Sequence, residues 1–113
     1  MNKLQLSPLA KGDLHEIRSY IADELQNPSA AVNVITRITK KLRSLIDFPN
    51  MGAALSSVVD IETDYRFIVS GNYTAFYRYD DKTLSVIRVL YSRRDFMKIL
   101  FGDVPEDSDK PIE

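Results

Sequence analysis

Arginine and tyrosine crowd one stretch of this chain: Arg66, Arg78, Arg88, Arg93 and Arg94, interleaved with Tyr65, Tyr73, Tyr77, Tyr79 and Tyr91. A guanidinium is permanently charged and presents a planar fork of donors that matches phosphate or carboxylate. Two chemistries use such a set. In metal-free RNA cleavage a 2′-hydroxyl attacks the adjacent phosphate; arginines stabilise the dianionic phosphorane and a tyrosine or lysine moves the proton. In plain recognition the same groups hold an acidic or phosphate-bearing surface without reaction. Other chemistries lack their parts. There is no cysteine and a single histidine, His15, which lies off the apolar stripe of its helix, so no metal site is expected. No G-x-S-x-G and no glycine-rich phosphate loop occurs, and no cofactor is implied.

The arginines do not weigh equally. Arg93 and Arg94 leave a strand end together, where sheet packing needs no guanidinium, so they are the first candidates for binding a partner, with Asp95 a structural partner for one of them. Arg66 begins a strand beside Asp64. Arg78 and Arg88 sit mid-strand, opposite one another in the expected hairpin register, and each can instead pair with a carboxylate. Phe76 and Tyr77 read as core.

Local patterns supply the elements that position this set. Lys3–Ser7 alternates like a short strand, with Ser7 an N-cap and Pro8 the first helical residue. From Leu9 to Leu25 the stripe Leu14, Ile17, Ile21, Leu25 predicts an amphipathic helix. Asn27–Pro28 breaks it and Asn27 caps a second helix from Ser29 to Phe48, stopped by Pro49. Its apolar stripe runs from Ala31 to Ile46; Arg37, Lys40, Lys41 and Arg43 make a solvated basic face. Three strands follow, Tyr65–Ser70, Tyr73–Tyr79 and Thr83–Tyr91, joined by turns at Gly71–Asn72 and Asp80–Lys82. A short helix over Arg93–Phe101 ends near Gly102. The order β-α-α-β-β-β-(α) predicts an α+β fold of two layers, an antiparallel sheet packed on a helical hairpin, with its other face partly bare.

Length bounds this to one domain, expected over residues 1–102. The formal net charge of −1 hides an asymmetry. Residues 103–113 hold Asp103, Glu106, Asp107, Asp109 and Glu113 against Lys110, an acidic and expectedly disordered tail, so the domain is mildly basic. No apolar run suits a membrane span and no signal peptide is evident, so no membrane partner and a cytoplasmic location are expected.

The pieces L-S-P-L-A-K-G-D-L-H-E-I-R-S-Y-I (Leu6–Ile21), N-P-S-A-A (Asn27–Ala31), F-P-N-M-G (Phe48–Gly52), Y-R-F-I-V-S-G-N-Y-T-A-F-Y-R (Tyr65–Arg78) and V-I-R-V-L-Y-S-R-R-D (Val86–Asp95) together resemble the RelE/ParE superfamily of toxins from bacterial type II toxin–antitoxin modules. The resemblance covers nearly all of Met1–Phe101. It implies the layout above, an addiction or plasmid-stabilisation role, and a cognate antitoxin held in a hetero-oligomer. RelE-like members cut mRNA in the ribosomal A site; ParE-like members inhibit DNA gyrase. Of the nuclease set, Arg66 fits one basic position and Arg93 or Arg94 the late arginine. The second basic position falls on Ile68, the next arginine on Thr74, and the terminal tyrosine has only Phe96 or Phe101 in its place. The resemblance is therefore closer to the ParE branch, which implies a gyrase inhibitor rather than an enzyme, with Arg66, Arg88, Arg93, Arg94 and Tyr91 binding the target. As the alternative, a ribosome-dependent mRNA interferase would use Arg66, Arg93 and Arg94 as catalytic residues on ribosome-bound mRNA. A third reading is a non-toxic binding domain derived from such a toxin. The antitoxin is expected on Leu14, Ile17, Ile21, Arg37 and Lys41.

Overall fold

The computed structural model describes residues 2–102; the acidic tail expected over 103–113 lies outside the described residues. Strand β1 (Lys3–Leu6) leads into helix α1 (Pro8–Ser19), whose last turn widens into a π-helical turn over Tyr20–Glu24. Helix α2 covers Pro28–Asp47. The caps are those the sequence predicts. The Ser7 hydroxyl accepts from the Ala10 amide at 3.0 Å, and the Asn27 side chain accepts from the Ala30 amide at 3.1 Å, each satisfying a donor the helix itself leaves open. Ser7 also donates to the Ile87 carbonyl at 2.8 Å, tying the start of α1 to the sheet.

A two-residue strand β2 (Ala53–Ala54) and a single 3-10 turn (Leu55–Ser57) precede β3 (Arg66–Ser70), β4 (Tyr73–Asp80) and β5 (Thr83–Tyr91). Helix α3 spans Phe96–Phe101, starting later than expected because Ser92–Arg94 form a turn first. The sheet order is β1-β5-β4-β3-β2. All neighbours are antiparallel except β1, which lies parallel to β5 with Leu4 opposite Leu84. The helical hairpin between β1 and the rest makes that parallel return possible, since a parallel pair needs a long crossover.

Asp81 and Lys82 both take positive φ, 48° and 69°, so β4 and β5 join through the two-residue turn whose twist suits a hairpin. The register then shifts at Phe76/Tyr77, where a bulge leaves Ile87 unpaired. This corrects the expected register: Arg78 stands opposite Ser85 and Arg88 opposite Phe76, not opposite each other.

The sheet carries a core on each face. Toward the helices, Ala10, Ile38, Leu42 and Leu45 pack on Ile68, Ala75, Tyr77, Leu84, Val86 and Val89. On the other face Leu55, Phe76 and Leu90 are buried under Phe96, Ile99, Leu100 and Phe101 of α3, together with Tyr65 and Phe67. Helix α3 thus covers this face around Phe76 and Leu90, while Val69 and Arg78 further along it stay exposed. Phe101 stacks on Tyr65 at 5.6 Å and Phe96 tilts over Phe76 at 5.3 Å, so α3 is held by aromatic packing along one side.

Candidate functional site

Each of the five arginines has a distinct environment. Arg78 forms an exposed fork on Asp64, its Nη2 donating to Oδ2 at 2.7 Å, and lies over the Tyr65 ring. The paired guanidinium holds the Asp64 carboxyl below its usual range, mainly by hydrogen bonding. Arg88 is spent inside the molecule. Its Nε and Nη2 donate to the two oxygens of Asp13, each at 2.8 Å. Asp13 is only 6% exposed and also accepts from the Val89 amide at 2.9 Å. Strand β1 pairs with β5 only as far as Val86, so this carboxylate takes the place of a missing strand partner at Val89. A target-binding role for Arg88 therefore runs against its placement.

Arg66 is half-buried. Its Nη2 donates to the carbonyls of Gly52 and, at 3.2 Å, Asn50. Its Nε is buried with no hydrogen-bond partner. The same loop is gripped by Tyr77, a fully buried side chain whose hydroxyl donates to the Pro49 carbonyl at 2.7 Å and accepts from the Gly52 amide at 3.1 Å. A Cβ at Gly52 would stand 2.5 Å from the Phe67 carbonyl oxygen and 2.6 Å from the Tyr77 hydroxyl, so only glycine lets this loop approach the sheet. Arg66 and Tyr77, cross-strand partners, together clamp the loop after α2. Tyr77 was legible as core, but its hydroxyl's work on residues 49–52 was not, because nothing local links positions so far apart.

Arg93 and Arg94 are exposed and, among the described residues, form no ion pair. Asp95, expected to partner one of them, instead caps α3 by accepting from the Lys98 amide at 3.3 Å. The turn is tight: the Arg94 amide donates to Tyr91 and its carbonyl accepts from Phe96, both at 2.9 Å. Tyr91 is 43% exposed and meets Tyr73 edge to face at 5.9 Å. Burial, then the neighbouring Tyr91 and Tyr20, pushes the Tyr73 phenol up from its usual range. Beside the arginine turn lies a cavity of about 100 Å³, lined by Leu55, Val58, Phe67, Phe76, Leu90 and Phe96, with Thr74 and the Tyr91–Ser92 step. The Thr74 and Ser92 hydroxyls bond each other at 2.8 Å across the cavity wall. Sequence reasoning missed this cavity, because its walls come from four separate segments.

The candidate catalytic arginines are not brought together. Phe67 joins the α3-side core and Ile68 the helix-side core, so the pleat puts Arg66 on the helix side with Ile68. Arg93 and Arg94 stand between Ser92 and Phe96, which line the cavity on the α3 side. Along β4, Arg66 pairs at Tyr77 and the β5 end pairs at Tyr73, a separation of about 13 Å at roughly 3.3 Å per residue.

The residues expected to meet an antitoxin divide. Ile21 is buried, and Leu14 and Ile17 are partly buried against the helix-side core, so the stripe contributes to the interior. The stripe that suggested them is the stripe that folds the hairpin onto the sheet. Arg37 and Lys41 are exposed and line a shallow groove of about 380 Å³ with Lys40, Ser44, Ser70 and Gly71. Among the described residues, no helix is long and apolar enough to cross a membrane, and no cluster of His, Asp or Glu has the makings of a metal site.

Helices packed on a five-stranded sheet, with a short C-terminal helix, make a RelE/ParE-like α+β fold. The profile of the family described as ParE toxin of type II toxin-antitoxin system, parDE, matches residues 4–96, and the chain belongs to that family. In fold it is similar to a chain of the chromosomal ParDE toxin–antitoxin system from P. aeruginosa, with a TM-score of 0.66 and 23% identity over 79% of this chain and 94% of that one. It is also similar to a chain of the toxin–antitoxin complex RelBE2 from Mycobacterium tuberculosis, with a TM-score of 0.58 and 19% identity over 80% and 96%. No curated protein sequence matches the chain.

Proposed function

We propose that this ParE-family chain arrests growth by inhibiting DNA gyrase and is neutralised by a cognate antitoxin in a cytoplasmic hetero-oligomer. The observation that carries the choice of target is the separation of the arginines. A phosphorane needs its charge partners within hydrogen-bond reach of one phosphate. Arg66 is tied to the loop carbonyls of Asn50 and Gly52, while Arg93 and Arg94 sit in the turn after β5, whose end lies about 13 Å away along β4 at roughly 3.3 Å per residue. That arrangement supports binding over ribosome-dependent mRNA cleavage. In this reading Arg93, Arg94 and Tyr91 contact the target, and Arg66 holds the loop that follows α2. Both solved chains named above come from toxin–antitoxin systems, which supports an antitoxin here. Arg37 and Lys41 beside the open groove suit an acidic antitoxin segment.

Induction of the chain alone in bacteria tests this, with an SOS reporter and primer extension on a translated message in one culture. Arrest with SOS induction and uncut message is expected, and co-expression of the antitoxin should relieve it. Codon-phased cuts with a silent reporter would replace gyrase by the ribosome. Growth without arrest would leave only the non-toxic binding domain.

A further inference from the structure

The cavity under α3 and the exposed arginine pair share a boundary. Ser92 and Phe96 line the cavity, and Arg93 and Arg94 occupy the turn between them. We infer that the two form one docking site for a protein segment of the inhibited gyrase, which seats an apolar side chain in the cavity and sets a neighbouring carboxylate on Arg93 or Arg94. This rests on the gyrase reading above.

The chemistry of the site defines that segment. A cavity of roughly 150 Å³ lined by Leu, Ile and Phe admits a benzene ring. One of about 100 Å³ with a similar lining fits the branched end of a Leu or Ile or the leading edge of a ring. Six of the nine residues that line it are apolar, and the Thr74 and Ser92 hydroxyls already bond each other, so an apolar side chain matches this wall better than a base edge does. Val58 is 61% exposed although it borders the cavity, leaving apolar surface at the entrance. The arginines bring two positive charges that no described acid neutralises. An apolar anchor flanked by carboxylate satisfies both halves, and a desolvated anchor beside a charged rim is the usual anatomy of a binding hot spot.

The test is inhibition of purified gyrase in a DNA supercoiling assay by the full chain and its variants. Val58→Trp and Val58→Asp alter the cavity entrance from an exposed position, and Arg93→Ala/Arg94→Ala removes the charges. Each is expected to raise the half-inhibitory concentration about tenfold or more, as loss of a hot spot does. Only the arginine effect should shrink as salt rises. Val32→Asp, on the exposed side of α2, should inhibit like the wild type. Urea midpoints within error of the wild type certify that each variant is folded, and the two Val58 variants back each other. A wild-type chain that never inhibits gyrase overturns the functional reading and this site with it. If the wild type inhibits and both folded Val58 variants match it, the docking site alone is wrong. A steep salt dependence with only the arginine variants impaired would reassign the turn to DNA phosphate.

Discussion

Replacing Asp13 by alanine is expected to remove about 3–5 kcal/mol of stability, the usual effect of stripping one partner from a buried ion pair. Two groups lose their acceptor at once: the Arg88 guanidinium, with a side chain 19% exposed, and the Val89 amide. An unsatisfied buried amide by itself costs about 1–3 kcal/mol. Partial access of water to Arg88 places the sum toward the lower end of the range. In urea, with a slope of about 1.5 kcal/mol per molar for a domain this small, a loss of about 3 kcal/mol lowers the midpoint by about 2 M. Asp64→Ala is the internal comparison. It removes an equally well-aligned fork on Arg78, but both side chains are about half exposed or more, 48% and 64%. It should therefore cost at most about 1 kcal/mol. The double variant Asp13→Leu/Arg88→Met removes both charges together and should recover the share of the loss that belongs to Arg88, leaving the cost of the unpaired Val89 amide. Toxicity should return with stability, because Arg88 acts in this structure by holding α1 to β5. Equal midpoints for Asp13→Ala and Asp64→Ala would refute the claim that burial sets the difference. A stable but non-toxic double variant would restore Arg88 to the target surface.

The Tyr77 hydroxyl can be tested by Tyr77→Phe, expected to cost about 2 kcal/mol in a urea melt because the Pro49 carbonyl and Gly52 amide lose a buried partner. Gly52→Ala should be worse, and Tyr77→Phe should not rescue it, since the Phe67 backbone oxygen still blocks the added methyl. Ser7→Ala should cost about 1 kcal/mol or more by thermal unfolding, because one hydroxyl both caps α1 and donates to Ile87. Tyr73 holds its proton more tightly folded than unfolded, so its contribution is complete below the ordinary tyrosine value of 10.0 and declines as pH rises through the higher folded value. Tyr73→Phe should flatten that alkaline limb of the stability curve; an unchanged limb would assign it to other groups.

Much of the fold was legible because it is written in short-range chemistry. Ser7 and Asn27 cap helices through amides three residues on, and Pro8 and Pro28 follow them at the first helical position. The helix stripes and the strand composition then dictate two layers. Strand position also suggested two side chains rightly: Phe76 is a core ring and Arg78 pairs with a carboxylate, that of Asp64.

The functional surface was less legible, for a physical reason. Whether an arginine is free depends on which carboxylate or carbonyl the folded chain brings to it, and those partners lie far off in sequence. Arg88 meets Asp13 across the sheet edge, and Arg66 meets the loop carbonyls of Asn50 and Gly52. A bulge decides that Arg78 and Arg88 are not neighbours. Leu14, Ile17 and Ile21 looked like a docking stripe because an amphipathic helix has the same period whether its apolar face meets its own sheet or a partner. By itself the sequence determined the element order, the caps, the superfamily and the prominence of Arg93–Arg94. Only the tertiary structure decided which arginines remain available, since burial and pairing are set by contacts between segments that local propensity does not encode.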